Sequence, residues 1–267
     1  VPEGHTLHRL AADLGTRFGG DAVSVGSPQG RFASSAALLD GSVLEGAEAH
    51  GKHLFIGFGA GRWIHIHLGL IGTVRFDGDT GGQVRLRITG PGGRADLRGP
   101  QLCALVTDAE KARVHARLGP DPLRASDRAD GAATAWRRIG RSGRPIAALL
   151  MDQQVLAGVG NVYRAEVLFR HGVDPFTPGR ELGGERWREL WDDLVGLMAE
   201  GVRRNRIDTV RPEHEPAAMG RPPRVDDHGG EVYVYRRAGD TCHICGTPIA
   251  TRPLDSRNLF WCPTCQP

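Results

Sequence analysis

The sequence predicts an α+β protein in two parts, with a cysteine-bearing hairpin at its end. Three observations carry this. Short strand-like runs between glycine and aspartate clusters fill the first 117 residues behind one helix. Past residue 133 the apolar residues recur at helical spacing. Two C-x-x-C pairs lie in the last 35 residues.

The elements follow in order. His5 to Phe18 reads as a helix, with Leu7, Leu10, Ala11 and Leu14 on one face and Thr6 as N-cap. Strand-like runs follow at Val43–Ala49, His53–Phe58, Trp63–Leu68, Thr73–Phe76 and Val84–Ile88, the pattern of a sandwich or barrel. Leu118 to Ala133, with Gly119-Pro120-Asp121-Pro122, reads as a linker. Helices are expected at Ala132–Ile139, Pro145–Leu156, Val162–His171 and Gly184–Arg203, with Pro145 in a first turn. Asp208 to Gly230 is polar and aperiodic, and reads as a long mobile loop. The expected domains are 1–117, a linker at 118–133, a helical domain at 134–231 and the cysteine module at 232–267.

Composition excludes whole classes. A chain of 267 residues, 40% hydrophobic and 24% charged, is not disordered throughout. It has no apolar run of about 18 residues, so no membrane-spanning helix is expected. The N-terminus lacks a basic segment followed by an apolar core, and a cytoplasmic location is the default. Net charge is only +3, too small to announce nucleic-acid binding by itself. All but two of the 34 basic residues are arginine, the exceptions being Lys52 and Lys111. That bias fits a GC-rich genome first, with bidentate phosphate recognition as the functional alternative.

Cys242-x-x-Cys245 and Cys262-x-x-Cys265 stand 16 residues apart. This is the spacing of a tetrahedral zinc site, each pair gripping one side of a Zn2+ ion. Four thiolates leave no open position for water, so one structural zinc per chain is expected. Arg252, Arg257 and Phe260-Trp261 in the intervening hairpin suit a nucleic-acid backbone or a plain solvated hairpin. Cys103, in the apolar run Leu102–Val106, reads as a small buried hydrophobe. His65 and His67 lie two apart on one strand face without a third ligand at matching spacing, and read as surface-lining residues rather than a metal pair.

Two further stretches carry chemistry. Gly158-Val159-Gly160-Asn161 joins two helices, and such a turn leaves amides at a helix start for an anion, with Asn161 able to cap the next helix. Val1-Pro2-Glu3-Gly4 opens the chain. If Val1 is an alternative start residue and is removed, Pro2 becomes a free secondary amine. An α-amino group has a pKa near 8, so a fraction is nucleophilic at neutral pH. Glu3 beside it is placed for proton transfer.

Together these motifs resemble the Fpg/Nei family, the bacterial formamidopyrimidine-DNA glycosylases and endonuclease VIII enzymes. The resemblance rests on Pro2-Glu3-Gly4, Gly51-Lys52-His53, His67-Leu68-Gly69, Gly158-Val159-Gly160-Asn161-Val162-Tyr163 and the terminal knuckle with Arg257 and Phe260-Trp261-Cys262. It looks most like the actinobacterial endonuclease VIII branch. The resemblance implies an N-terminal β-sandwich with a leading helix, then a helix–two-turn–helix domain ending in a zinc-finger β-hairpin. It implies a monomer that binds damaged double-stranded DNA in the cleft between the domains, in the cytoplasm at the nucleoid. It implies a base-excision-repair glycosylase with lyase activity, working through a Schiff base on Pro2 and β,δ-elimination. Glu3 then protonates the sugar oxygen, Lys52 contacts the phosphate beside the lesion, Asn161 and Arg257 hold flanking phosphates, and Leu70 fills the gap left by the everted base.

Two departures matter. Thr6 stands where much of the family has an acid. Leu97-Arg98-Gly99-Pro100-Gln101 replaces the loop with which the formamidopyrimidine branch reads the opposite base, so oxidised pyrimidines are favoured over 8-oxoguanine. The alternatives are an inactive damage-binding protein on the same fold, an 8-oxoguanine-preferring glycosylase, an RNA-binding zinc-ribbon protein, and, last, a zinc hydrolase.

Overall fold

The computed structural model describes residues 2–78, 82–127, 129–225 and 230–267. The expected removal of Val1 therefore lies outside the described residues. The chain divides into two compact units, residues 1–117 and 118–267.

The first unit opens with α1 (Gly4–Phe18), β1 (Ser24–Gly26) and α2 (Ala33–Ala37). The strands β2 (Leu44–His50), β3 (His53–Phe58), β4 (Arg62–His67), β5 (Thr73–Phe76), β6 (Val84–Gly90), β7 (Gly93–Arg98) and β8 (Leu102–Thr107) follow, then α3 (Asp108–His115). They form two antiparallel four-stranded sheets, ordered β1-β6-β7-β5 and β2-β3-β4-β8. Leu7, Leu10, Leu14 and Phe18 of α1 join Leu54, Ile56, Ile64, Ile66, Leu86, Ile88 and Leu97 in one core. Glu3, not Thr6, takes the N-cap position, and the Thr6 amide donates to its carbonyl at 3.0 Å.

Five elements of this unit escaped the sequence reading, β1, α2, β7, β8 and α3, three of them for plain physical reasons. β7 is too polar to read as a strand, because its buried Asp96 is held by Arg87 at 2.7 Å and Arg98 at 3.2 Å. The three-residue β1 is too short to show a pattern. α3 has no apolar stripe and is started by a capping box between Thr107 and Glu110.

Side chains alternate across a strand, so β3 sends Leu54, Ile56 and Phe58 into the core and His53 and Phe55 the other way. On that second face lies a layer of histidines. His53 Nδ1 stands 2.9 Å from His65 Nε2, and His50 Nδ1 stands 3.3 Å from His115 Nδ1. Phe55 stacks on His65 at 4.5 Å, and Lys111 of α3 sits 3.2 Å above the Trp63 ring. Burial, with the neighbouring imidazoles second, lowers His53 to about 3 and His65 to about 4. Burial also lowers His67, aided by the Lys52 ammonium.

The second unit begins with the segment expected as a linker. It is instead packed on its own unit: Gly119 N donates to Gln153 O and Ala157 N to Pro120 O, at 2.9 and 3.0 Å. The helices are α4 (Gly131–Ile139), α5 (Ile146–Met151), α6 (Asn161–Arg170), α7 (Gly184–Arg204) and α8 (Pro216–Met219). The helix expected over Pro145–Leu156 is shorter: Pro145 is its N-cap and Asp152 ends it. The Asp152 carboxylate accepts from Gln154 N at 3.1 Å and pairs with Arg144 at 2.8 Å, favouring a turn over another helical residue. The polar segment 208–230 holds α8 and a short 3-10 turn at Pro212–His214, and its residues 226–229 lie outside the described ones.

Glu166 on α6 is fully buried and accepts from Thr209 Oγ1 at 2.6 Å and from the amides of Tyr233, Val234 and Tyr235 at 2.7, 2.9 and 2.8 Å. The chain then enters the cysteine module, whose hairpin pairs β9 (Ala250–Leu254) with β10 (Arg257–Trp261).

Two outcomes follow. Glu166→Ala strands three buried amides and should lower unfolding free energy by about 3–5 kcal/mol, read by urea denaturation. The lowered histidines bind fewer protons in the folded than in the unfolded chain between about pH 4 and their ordinary 6.5. Stability should therefore fall as pH drops through that window, by more than about 1 kcal/mol between pH 7 and pH 5. An unchanged urea midpoint would contradict the neutral histidine layer.

Candidate nucleic-acid interface

In the first unit, Pro2 is half-buried ahead of α1 and Glu3 is buried. Lys52 sits in the two-residue turn between β2 and β3, where Gly51 has φ +57°. That turn is braced at both feet. His50, before it, meets His115, and His53, after it, meets His65. The pairing of His53 with His67 brings this turn to the end of β4.

There the chain turns through Leu68 to Gly72. Gly69 has φ +70° and its amide donates to His67 Nδ1 at 3.1 Å, so the neutral ring carries its proton on Nε2. Leu70 is 55% and Ile71 81% exposed, a large apolar pair that core packing does not explain. The segment carrying Gln101 lies against this turn: a Cβ on Gly69 would stand 2.9 Å from Gln101 Cβ, and one on Gly99 would stand 3.8 Å from Ile71. Sequence reasoning singled out Leu70 and missed Ile71. It also missed His50 and His115, and named His53 only within the Gly51-Lys52-His53 motif. The register of β3 on β4 that gathers His53, His65 and His67 was readable only once strand pairing was known.

In the second unit, Gly158 has φ +92°, and Gln153 staples the turn by accepting from Gly158 N and donating to Val159 O, at 3.0 and 2.9 Å. Gly160, not Asn161, is the N-cap of α6, and Asn161 is its first residue. The Asn161 amide is oriented from both ends. Buried Arg164 donates to its Oδ1, and its Nδ2 donates to the carbonyl of Asn258 at 3.0 Å. Asn258 follows Arg257, so the helix turn and the hairpin tip meet here. The tip is a two-residue turn with Asp255 and Ser256 at φ +47° and +59°, which suits a tight hairpin. Arg257 is exposed beside it.

The four module cysteines offer sulfurs all within 4.8 Å of one another, the one such group among the described residues. Cys245 and Cys262 sulfurs stand 3.4 Å apart, and those of Cys242 and Cys265 3.9 Å. Zinc–sulfur bonds of about 2.3 Å in a tetrahedron put sulfurs about 3.8 Å apart, so the donor set fits zinc. Cys103 is half-buried on β8, its thiol pushed up to about 12 by burial, which keeps it unreactive. No described helix is long and apolar enough to cross a membrane.

The chain matches three family models: the formamidopyrimidine-DNA glycosylase N-terminal domain over residues 1–127, its H2TH domain over 118–211, and the zinc finger found in FPG and IleRS over 239–267. It is 53% identical to "Endonuclease 8 1" of Mycobacterium tuberculosis (strain CDC 1551) over 274 aligned positions, covering 100% of both chains. It is 31% identical to the formamidopyrimidine-DNA glycosylase of Thermus thermophilus over 87% of this chain and 85% of that one. The crystal structure of MutM (FPG) from the same organism superposes with a TM-score of 0.76 at 27% identity, covering 99% of this chain and 98% of that one. Lactococcus lactis formamidopyrimidine-DNA glycosylase, bound to DNA with an AP site, superposes at 0.77 with 19% identity over 99% of each chain, a likeness of fold. The chain belongs to the formamidopyrimidine-DNA glycosylase/endonuclease VIII family of base-excision-repair DNA glycosylases.

Proposed function

We propose that this protein is a bifunctional glycosylase and lyase that excises oxidised pyrimidines, of the thymine glycol and dihydrouracil type, from duplex DNA. The observation that carries this is full-length identity of 53% with "Endonuclease 8 1" in a chain that opens Pro2-Glu3. With Pro2 at the mature N-terminus, its secondary amine attacks C1′ of the damaged nucleotide. The C1′–base bond breaks and the base leaves with the electron pair, protonated on departure. Glu3 protonates the sugar ring oxygen, and the ring opens to an iminium. The iminium accepts electrons as a C2′ proton is lost and the 3′ phosphate departs. A second elimination releases the 5′ phosphate.

Base chemistry of this kind needs the nucleotide out of the stack, and exposed Leu70 fills the vacated space, with Ile71 beside it. Lys52, in its braced turn, contacts the phosphate next to the lesion. Asn161 and Arg257 hold flanking phosphates, contacts that position DNA without reading its sequence. Cys242, Cys245, Cys262 and Cys265 hold one structural zinc, which ties the two ends of the hairpin together. The segment Leu97–Gln101, in place of the opposite-base loop of the formamidopyrimidine branch, supports the preference for pyrimidine lesions. The protein acts as a monomer in the cytoplasm, on nucleoid DNA.

Borohydride trapping tests the reading. Duplexes carrying thymine glycol or an abasic site should give a covalent band on a denaturing gel, stronger than duplexes with 8-oxoguanine. Pro2→Gly, which keeps a primary amine, should slow base release more than abasic-site cleavage. If no duplex is trapped by protein shown by mass spectrometry to start at Pro2, the chain is a damage-binding protein instead. Arg257→Ala should weaken duplex affinity by about 10-fold at moderate salt with the same product ends. Unchanged affinity removes Arg257 from the contact.

A further inference from the structure

The exposed pair Leu70 and Ile71 sits on a turn that is held from within and from outside. Within it, Gly72 N donates to the Leu68 carbonyl and Gly69 N to His67 Nδ1, both at 3.1 Å. The two glycines that flank the pair are required by the turn. Gly69 has φ +70°, and a Cβ on Gly72 would collide with the Leu68 carbonyl.

The outside support is Gln101. The register of β4 on β8 pairs His67 with Leu102, so Gln101 stands beside the turn, one residue ahead of that pair. Its side chain lies over Gly69, where a Cβ would stand 2.9 Å from Gln101 Cβ and 3.2 Å from Oε1. Burial and the Lys52 ammonium lower His67, and a hydrogen bond with the Gln101 side chain opposes them. With Nδ1 taken by the Gly69 amide, the ring offers its Nε2–H, for which the Gln101 carbonyl oxygen is the acceptor. A closed circuit results: Gly69 to His67, His67 to Gln101, and Gln101 back onto Gly69. Gln101 is itself exposed, so a packed core does not call for it. Holding two large apolar side chains out in water costs conformational entropy and gains nothing for the free protein. The gain comes when they enter something.

We propose that Gln101 is a positioning residue for the apolar tip, acting through His67 and Gly69 to hold Leu70 and Ile71 in the conformation that enters duplex DNA. The proposal rests on the wedge role assigned to Leu70 above. A wedge fixed in advance meets only the cost of unstacking the bases, whereas a loose one must also be ordered as it inserts.

The test compares the full-length protein with Gln101→Met, which keeps the length of the side chain and its packing on Gly69 and removes the amide. Insertion is read by stopped flow on a duplex with an uncleavable tetrahydrofuran abasic analogue, next to a 2-aminopurine that brightens as it unstacks. Chemistry is read as single-turnover base release from a thymine glycol duplex. Gln101→Met should melt with the parent and slow both insertion and base release about 5-fold. In a Leu70→Ala background the same substitution should change base release by less than about 1.5-fold, because Gln101 acts through the tip. Unchanged insertion and base release in Gln101→Met overturn the proposal. An equal loss in both backgrounds also overturns it, since Gln101 then acts by another route. So does a loss seen opposite one base only, which makes Gln101 a reader of that base. A parent that brightens 2-aminopurine and releases no base refutes the glycosylase reading, while the insertion rates still judge Gln101.

Discussion

The second unit depends on one buried carboxylate. Glu166 points from the middle of α6 into three successive amides, Tyr233 to Tyr235, and the Thr209 hydroxyl. No neutral side chain presents the same set of lone pairs to so many donors. The group is out of water, and its cost is offset because the three amides around it would be left without that acceptor. The consequence is geometric. The helix that starts at Asn161 and the chain that leads into the cysteine module are locked to one another. The lock is repeated at the surface, where Asn161 donates to the carbonyl of Asn258. Two expected phosphate contacts nearly a hundred residues apart in sequence are thereby carried on one rigid body.

The first unit solves a different problem. Lys52 stands on a tight turn, and a turn by itself frays. Here the residues on both sides of it are imidazoles engaged with β4 and α3. Imidazoles can hydrogen-bond to one another only while at least one ring nitrogen lacks a proton. Burial keeps His53 and His65 neutral, so the layer adds no repulsion to the nearby lysine at neutral pH. Hydrocarbon side chains would fill the same space without orienting the turn.

Much of this was legible in the sequence, and the limits have physical causes. β3 and β5 were read with the boundaries observed, because apolar runs between glycine and aspartate signals leave little freedom. The cysteine spacing led to four sulfurs that do cluster. Elements stabilised by polar contacts were missed: β7 through Asp96 and its arginines, α3 through its capping box. The Pro145 helix was overextended because Val155 and Leu156 keep the apolar rhythm and are buried after the helix has ended. Leu70, the proposed wedge, came from family likeness, while its exposed neighbour Ile71 needed coordinates, since exposure is a property of the fold and not of the residue.

The arginine bias resolves in the same way. Composition favoured genome bias over phosphate recognition without excluding the latter, and the structure assigns arginines one at a time. Arg164 orients Asn161, Arg170 pairs with Asp193 at 2.6 Å, Arg237 ties backbone carbonyls, and Arg87 holds Asp96. These positions use the planar fork for internal bracing, which a lysine ammonium would do less well. Their charge is spent inside the protein and contributes little to attracting DNA. Others, such as Arg257 at the hairpin tip, are exposed, and their charge faces outward toward an anionic ligand. A net charge of only +3 is therefore compatible with a DNA-binding surface, because the total counts bracing arginines and their carboxylates together and says nothing about where the uncompensated charge lies.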